Sequence, residues 1–239
     1  MVINVICAMK ILLLMQHDVY HGREYMDAMI KNKINFDVIS ISNKKNSFIN
    51  NVEDKRTNFL WKPEKFEKMI DKVKNYYEFK SLTDQKFIKK IQEKKYQVGI
   101  QGGGLGILKK EVIDKFSLGL LNFHPGDLPS YRGSSAPEWQ INDGKKIIST
   151  CHLIDTGIDT GDIIGKKKLN LDYSDYYLMR ANIYPEIANH LIEVIKEIIR
   201  NKTIKISEVQ QNHLAVYRKY IGDQQIEKLK LKMKLGNIF

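Results

Sequence analysis

The chain has 239 residues, 43% apolar and 28% charged, with 39 basic against 28 acidic side chains and a formal charge of +11. That length suits one ordinary domain with at most a modest appendage, able to bury roughly 70% of its unfolded surface. Composition excludes disordered, collagenous and coiled-coil chains, and no apolar run reaches the ~18 residues of a membrane-spanning helix.

Met1 to Met15 is mostly apolar, but Lys10 interrupts it and no basic segment precedes it, so it fails the signal-peptide pattern. Lys10 to Gln16 reads as a fully buried strand, with Met9 an alternative start and Met1 to Ala8 an extension. Gly22 to Ile34 places Met26, Met29, Ile30 and Ile34 at helical spacing. Phe36 to Ser42 alternates as a strand, and Asn43 to Asn58 is polar and loop-like. Pro63 to Val73 and Ser81 to Lys95 read as amphipathic helices, the second capped by Thr83. Tyr96 to Gln101 is a strand running into Gly102, Gly103 and Gly104. A short helix spans Leu108 to Phe116, and a strand spans Gly119 to His124, stopped by Pro125. Ala136 to Asn142 is helical, Ile147 to Ile154 and Asp162 to Leu171 are strands. Ser174 can cap a long helix ending near Arg200, kinked or restarted at Pro185. Residues 204–239 hold a strand-like piece at Leu214 to Tyr220 and a basic helix from Asp223 to Lys234. Strands alternate with helices, which predicts a doubly wound, mostly parallel α/β sheet over residues 1–203. The tail of 204–239 is too short for its own core and is expected to dock or dimerise.

Positive charge attracts anions. Of the basic residues 33 are Lys and 6 are Arg, a bias spread over the surface rather than the Arg forks that read phosphates and bases. Cys7 and Cys151 make neither a disulfide framework nor a zinc ribbon, which fits a reduced, cytoplasmic protein.

Open parallel sheets bind ligands beyond the carboxyl ends of their strands. Asn122 and His124 share one face of such an end. An amide beside an imidazole can hold a developing oxyanion and move a proton; alternatively, Asn122 caps a turn and His124 is a satisfied core histidine. A nearby carboxylate would decide for chemistry, and the loop Asp155-Thr-Gly-Ile-Asp159-Thr-Gly-Asp162 supplies candidates or is a polar turn. Gly102 to Gly106 fails the dinucleotide fingerprint, because Ile107 and Lys109 stand where glycine is required. It reads better as close backbone approach to a ligand. His17-Asp-Val-Tyr-His21 resembles a zinc motif but falls in a loop without a third ligand, so a substrate-contacting loop is the stronger reading.

The segment Leu121-Asn-Phe-His-Pro-Gly-Asp-Leu-Pro-Ser-Tyr-Arg-Gly133, followed by Ala136-Pro137, Trp139, Asn142-Asp-Gly144 and Ile158-Asp-Thr-Gly-Asp-Ile163, resembles the 10-formyltetrahydrofolate-dependent formyltransferases. These enzymes formylate glycinamide ribonucleotide, methionyl-tRNA or nucleotide-linked amino sugars. The resemblance implies a Rossmann-like formyltransferase fold and a catalytic triad of Asn122, His124 and Asp159. It places the pterin pocket at Leu105, Gly106, Ile107 and Leu108, with Ile113 and Leu120 behind, and at Ile154, Asp155 and Gly157. Gly103, Phe123 and the His17 to Tyr20 loop are expected on the amine side. Asn122 and a protonated His124 would stabilise the oxyanion, and Asp159 would orient His124 and pass protons through water. The formyl donor would be 10-formyltetrahydrofolate, without a metal.

Val216-Tyr-Arg-Lys-Tyr220 and Asp223-Gln-Gln-Ile226 look like the tail of sugar N-formyltransferases. That resemblance implies a dTDP-linked amino sugar as acceptor, such as dTDP-4-amino-4,6-dideoxyglucose of surface polysaccharide (O-antigen). The partners would then be small molecules, with neither nucleic acid nor membrane, in a homodimer. Tyr217 and Tyr220 would pack its interface or cover the core edge. A methionyl-tRNA enzyme lacking its usual C-terminal domain and a formyl-folate hydrolase are the rival readings.

Overall fold

All six residues of the first strand, β1 (Ile11–Gln16), are buried. Their side chains alternate: Ile11, Leu13 and Met15 enter one core cluster, Leu12 and Leu14 the other. A strand apolar on both faces needs helices on both sides, and the fold supplies them. The computed structural model describes residues 9–42 and 46–238. Cys7 and the Met1 to Ala8 segment lie outside them.

The strands β2 (Asp37–Ile41), β3 (Asn75–Phe79), β4 (Val98–Gln101), β5 (Gly119–His124), β7 (Ile148–Leu153) and β8 (Ile163–Lys168) complete a seven-stranded sheet. Its order is β3-β2-β1-β4-β5-β7-β8. The first five pair in parallel, while β7 runs antiparallel to both neighbours. Helices α1 (Tyr20–Lys31) and α7 (Tyr176–Asn201) bury Met26, Met29, Ile183, Ile187 and Leu191 on one face. Helix α4 (Gln85–Lys94) buries Phe87, Ile88 and Ile91 on the other. This is the doubly wound, mostly parallel sheet expected from the alternation of elements.

Several local readings change. Asn46–Arg56 is a helix, α2, rather than a loop. Its inward positions Ile49, Val52, Glu53, Arg56 and Thr57 have helical spacing, but three are polar and engaged in ion pairs or hydrogen bonds. A search for apolar periodicity passes over them. Strand β3 was not anticipated: it is a half-exposed edge strand rich in tyrosine. The helices expected at Pro63 to Val73 and Leu108 to Phe116 shrink to single turns, α3 (Glu67–Ile70) and α5 (Lys110–Ile113). Asp84 rather than Thr83 caps α4, and Asp175 caps α7. Helix α7 is continuous through Pro185.

After α7 the chain returns across the sheet end. Two-residue strands β6 (Arg132–Gly133) and β9 (Tyr217–Arg218) pair in parallel. Gly133 makes this possible: its φ is +91°, and a Cβ there would sit 2.5 Å from the Arg218 carbonyl. Helix α8 (Asp223–Lys234) then buries Ile226, Leu229 and Met233 in the same cluster as α7.

Candidate active site

The end of β5 sets the site by alternation. Leu121 and Phe123 face the α1–α7 core, and Asn122 and His124 face the other way. Phe123 is 2% exposed and packs edge-on against Tyr25 and His190. Its side chain therefore lies in the core, a correction to its expected place on the amine side.

Antiparallel pairing with β7 sets Asn122 opposite His152. The Asn122 Nδ2 donates to His152 Nε2 at 3.1 Å, and His152 Nδ1 donates to the Leu153 carbonyl at 2.7 Å. Each contact fixes the same tautomer. The loop between β7 and β8 then delivers Asp159, in the left-handed region at φ +53°, a conformation aspartate tolerates better than most residues. Its Oδ2 is 3.5 Å from His124 Nδ1 and accepts the Gly133 N–H at 2.9 Å; its Oδ1 is 3.6 Å from His152 Nε2. Asp155 holds the start of the same loop by accepting from the Gly157 N–H and the Thr160 hydroxyl.

Electrostatics separates the two partners. Burial would raise Asp159, but His124, His152 and the Gly133 N–H outweigh it and hold the carboxyl well below the usual range. Burial lowers His124, outweighing the Asp159 charge and the Tyr131 carbonyl, which act in the opposite direction. A neutral His124 with its proton on Nε2 donates to that carbonyl at 2.6 Å. The Nδ1 lone pair then faces an anion, which is the arrangement of a base ready to accept a proton.

Two cavities meet at this pair. A groove of about 320 Å³ is lined by Asn122, His152, Asp159, Gly106, Ile107, Leu108, Ile154, Asp155 and Gly157. A second cavity of about 280 Å³ is lined by His124, Arg56, Ser135, Arg180 and Tyr220, among others. Gly133 and Ser134 border both. Six of the seven residues expected at the pterin thus line one groove with Asn122 and Asp159. Leu105 lines a different cavity, of about 490 Å³, across the 104–109 loop, which touches none of the three candidate catalytic residues.

Other expected residues have structural duties. Gly102 lets β4 approach α1: a Cβ would meet Met15 at 2.8 Å and Gly22 at 3.1 Å. Gly103 has φ +90° and lies against His21. The close approach in the glycine run is therefore to protein, and only Gly106 has open space around it. Tyr20 opens α1, packs edge-on against Trp61 and donates to Asp54. His17 approaches Ser40 and Tyr76, whereas His21 faces Glu53 and Tyr184. Tyr217 lines the groove and Tyr220 the second cavity, both within the single chain.

Sequence reasoning missed His152, the Gly133 N–H and Gln210. Pairing the two predicted strands would have set His152 opposite Asn122. Gln210 carried no signal: it sits in an irregular stretch, yet its Nε2 donates to the carbonyls of Asp159 at 3.1 Å and Gly161 at 2.6 Å. Its Oε1 accepts from Arg132. No group of three His, Cys, Asp or Glu suited to a metal occurs among the described residues.

A curated methionyl-tRNA formyltransferase of Clostridioides difficile is 34% identical over 118 residues, 49% of this chain and 37% of that protein. The chain spans less than half the length of the curated relatives it matches. The structure of a 4-N formyltransferase from Francisella tularensis aligns with a TM-score of 0.61 and 17% identity, covering 94% of this chain and 87% of that one. An N-formyltransferase from Helicobacter canadensis, solved with folinic acid and dTDP-3-aminofucose, aligns with a TM-score of 0.59 and 19% identity over 91% of this chain and 72% of that one. These structures share the fold. Residues 9–180 match the model of the formyl transferase family, and because that stretch takes in the sheet, Asn122, His124 and the Asp159 loop together, the chain belongs to that family.

Proposed function

We propose that this protein moves a formyl group from 10-formyltetrahydrofolate to the amine of a dTDP-linked amino sugar. The first acceptor to try is dTDP-4-amino-4,6-dideoxyglucose, in cytoplasmic synthesis of surface polysaccharide such as O-antigen. One observation carries the reading: the His124–Asp159 pair stands on the divide between two cavities, with Asp159 on the groove and His124 on the other side. Two small molecules bound in these cavities would meet at one polar cluster.

The groove fits a folate donor. Ile107 and Ile158 stand 66% and 40% exposed on its two loops, apolar faces without cover of the kind a flat heteroaromatic ring would sandwich. The Asp155 to Gly157 main chain and Asn122 supply the polar contacts that would orient it.

In the proposed transfer the acceptor nitrogen bonds to the formyl carbon, the bond from that carbon to the donor nitrogen breaks, and the amine proton ends on the donor nitrogen. An amide carries two N–H donors. Asn122 spends one on His152, which leaves the other for the oxygen on which negative charge grows. His124 has its N–H committed to the Tyr131 carbonyl, so this geometry favours it as the proton acceptor rather than the oxyanion donor. Asp159 stabilises the imidazolium so formed, and the proton passes to the donor nitrogen through water.

Solved N-formyltransferases match this chain along most of their length, one named as a sugar N-formyltransferase and another solved in complex with dTDP-3-aminofucose. The identity to methionyl-tRNA formyltransferases makes that tRNA the essential control. The protein is incubated with 10-formyltetrahydrofolate and dTDP-3-amino sugar, dTDP-4-amino sugar or methionyl-tRNA, with mass spectrometry of each acceptor. A formyl gain on one sugar, abolished by His124→Asn, supports the reading. Formylation of the tRNA alone, or release of free formate alone, overturns it.

A further inference from the structure

The side-chain amide of Asn122 can face the reacting centre in two ways. Half a turn about its last bond exchanges a donor for an acceptor with almost no change of shape. With Nδ2 toward the formyl oxygen it stabilises growing negative charge; with Oδ1 there it repels that charge. The residue is only half-buried and lines the groove, so packing alone does not choose between the two. Among the described residues, His152 is the one hydrogen-bond partner of this amide.

His152 is 2% exposed, and an imidazole so buried needs a partner for each nitrogen. Nδ1 lies 2.7 Å from the Leu153 carbonyl, an acceptor, and therefore carries the proton. Nε2 is left as a bare acceptor 3.1 Å from Asn122 Nδ2. Asp159 Oδ1, at 3.6 Å, is outside hydrogen-bond distance of Nε2. A bare Nε2 accepts only the N–H end of the amide. One main-chain carbonyl thus dictates, through a single ring, which end of Asn122 is held where.

The fold aims that ring. Antiparallel pairing sets His152 directly opposite Asn122, and on the other side of β7 the register with β8 shifts between Cys151 and His152. Irregularities of this kind re-aim side chains beside functional sites. A leucine or phenylalanine would fill the same space, and neither offers an acceptor.

We infer that His152 is a positioning residue for formyl transfer: it touches no reacting atom, and it locks the Asn122 amide with Nδ2 toward the formyl oxygen. This inference rests on the oxyanion role given to Asn122 above and is independent of which amine is the acceptor.

The test compares wild type, His152→Gln, His152→Phe, Asn122→Ala and the double variant Asn122→Ala/His152→Phe. Formyl transfer from 10-formyltetrahydrofolate and binding of 5-formyltetrahydrofolate are measured for each, and the His152 ring nitrogens of wild type are read by 15N NMR at the assay pH. Gln returns an amide oxygen near the place of Nε2, whereas Phe keeps a ring without an acceptor. In His152→Phe kcat should fall about tenfold, the upper part of the range for one hydrogen bond. In His152→Gln it should stay within threefold of wild type, with folate affinity changed less than twofold in both. The double variant should be no slower than Asn122→Ala, because a residue acting only through Asn122 loses its effect once that amide is gone. The NMR spectrum should show Nδ1 protonated and Nε2 bare. Equal losses in the Gln and Phe variants, a further loss in the double variant, or a protonated Nε2 would overturn the inference and leave the oxyanion role of Asn122 in place. Asn122→Ala as fast as wild type would remove that role and this inference with it. If wild type formylates none of the amines tried, the acceptor reading falls and the NMR spectrum alone decides this one.

Discussion

Replacing Arg180 with Met tests the buried ion network of Arg180, Glu53, Glu138 and Arg56 as a structural element. The guanidinium is 2% exposed and lies 2.8 Å from Glu53 and 3.5 Å from Glu138. Methionine fills much of the same volume, so a cavity contributes little. The main effect is two buried carboxylates that lose the guanidinium they share and keep Arg56, whose Nη1 is 3.8 Å from Glu138, with Tyr176 at Glu138 and His21 at Glu53. Breaking a buried pair by removing one partner costs about 3–5 kcal/mol. For a chain of this size each kcal/mol moves the melting temperature by about 2–4 °C, which gives a drop of roughly 6–20 °C. The pH dependence supplies the sign check. Burial would raise Glu53, but Arg180, His21 and Arg56 hold it below its ordinary value of 4.5. In wild type that carboxylate contributes stability present above the unfolded pKa and lost as pH falls through the folded one. Without Arg180, burial dominates and the folded pKa rises above the unfolded one, so destabilisation deepens as pH rises. Melts followed by circular dichroism at pH 5 and pH 7.5 should show the smaller difference from wild type at pH 5. A drop under 2 °C, or an equal drop at both pH values, would refute this account of the network.

Three further outcomes are expected. Asn122→Ala removes the donor left for the oxyanion and should lower kcat roughly a hundred- to thousandfold with an unchanged melting temperature; a rate within threefold of wild type excludes that role. In an NMR titration His124 should ionise below the ordinary 6.5, because burial opposes its charge. In Asp159→Asn it should ionise lower still, because the anion favouring the imidazolium is gone; an upward shift would contradict the pairing. Gln210→Ala frees the backbone of the Asp159 loop and should lower kcat about tenfold with little change in folate affinity. Loss of folate affinity at constant kcat would show that Gln210 serves the groove instead of Asp159.

The sheet and the site were legible in the sequence to different degrees. Strands buried on both faces, such as Ile11–Gln16, announce themselves by composition, and the amphipathic helices α1, α4 and α7 by period. Helix α2 did not, because its inward positions include Glu53 and Arg56, whose burial is compensated by residues on other helices. Edge strand β3 is half exposed and lacks the apolar run of a central strand. At the site, Asn122 and His124 could be set on one face from the period of two alone, and a family resemblance supplied Asp159. Phe123 shows the limit of reasoning by position: it adjoins both residues in sequence and points away from them in space. The ion network was invisible, since Glu53, Glu138 and Arg180 are far apart in the chain and each reads as an ordinary surface charge.

The geometry of Asp159 ties the central sheet to the segment after α7. Its carboxylate has no rigid element of its own: it sits on a turn at positive φ, between glycines at 157 and 161. His124, His152, Gly133 and Gln210 hold it, and the last two contacts depend on the segment after α7. Gln210 holds the loop by two main-chain carbonyls. The Gly133 N–H that reaches Oδ2 is aimed by the pairing of β6 with β9. That pairing is reinforced where Trp139 donates to the Lys219 carbonyl and Arg218 pairs with Asp143. The segment ending in α8 therefore sets the position of the carboxylate and, through Tyr217 and Tyr220, lines both cavities. A truncation after α7 would keep the whole central sheet and both strands that carry the polar residues. It would still release the Asp159 loop and open both cavities on one side, so the proposed chemistry depends on a part of the chain that adds no strand to the central sheet and meets it at the Glu208–Ile163 bridge.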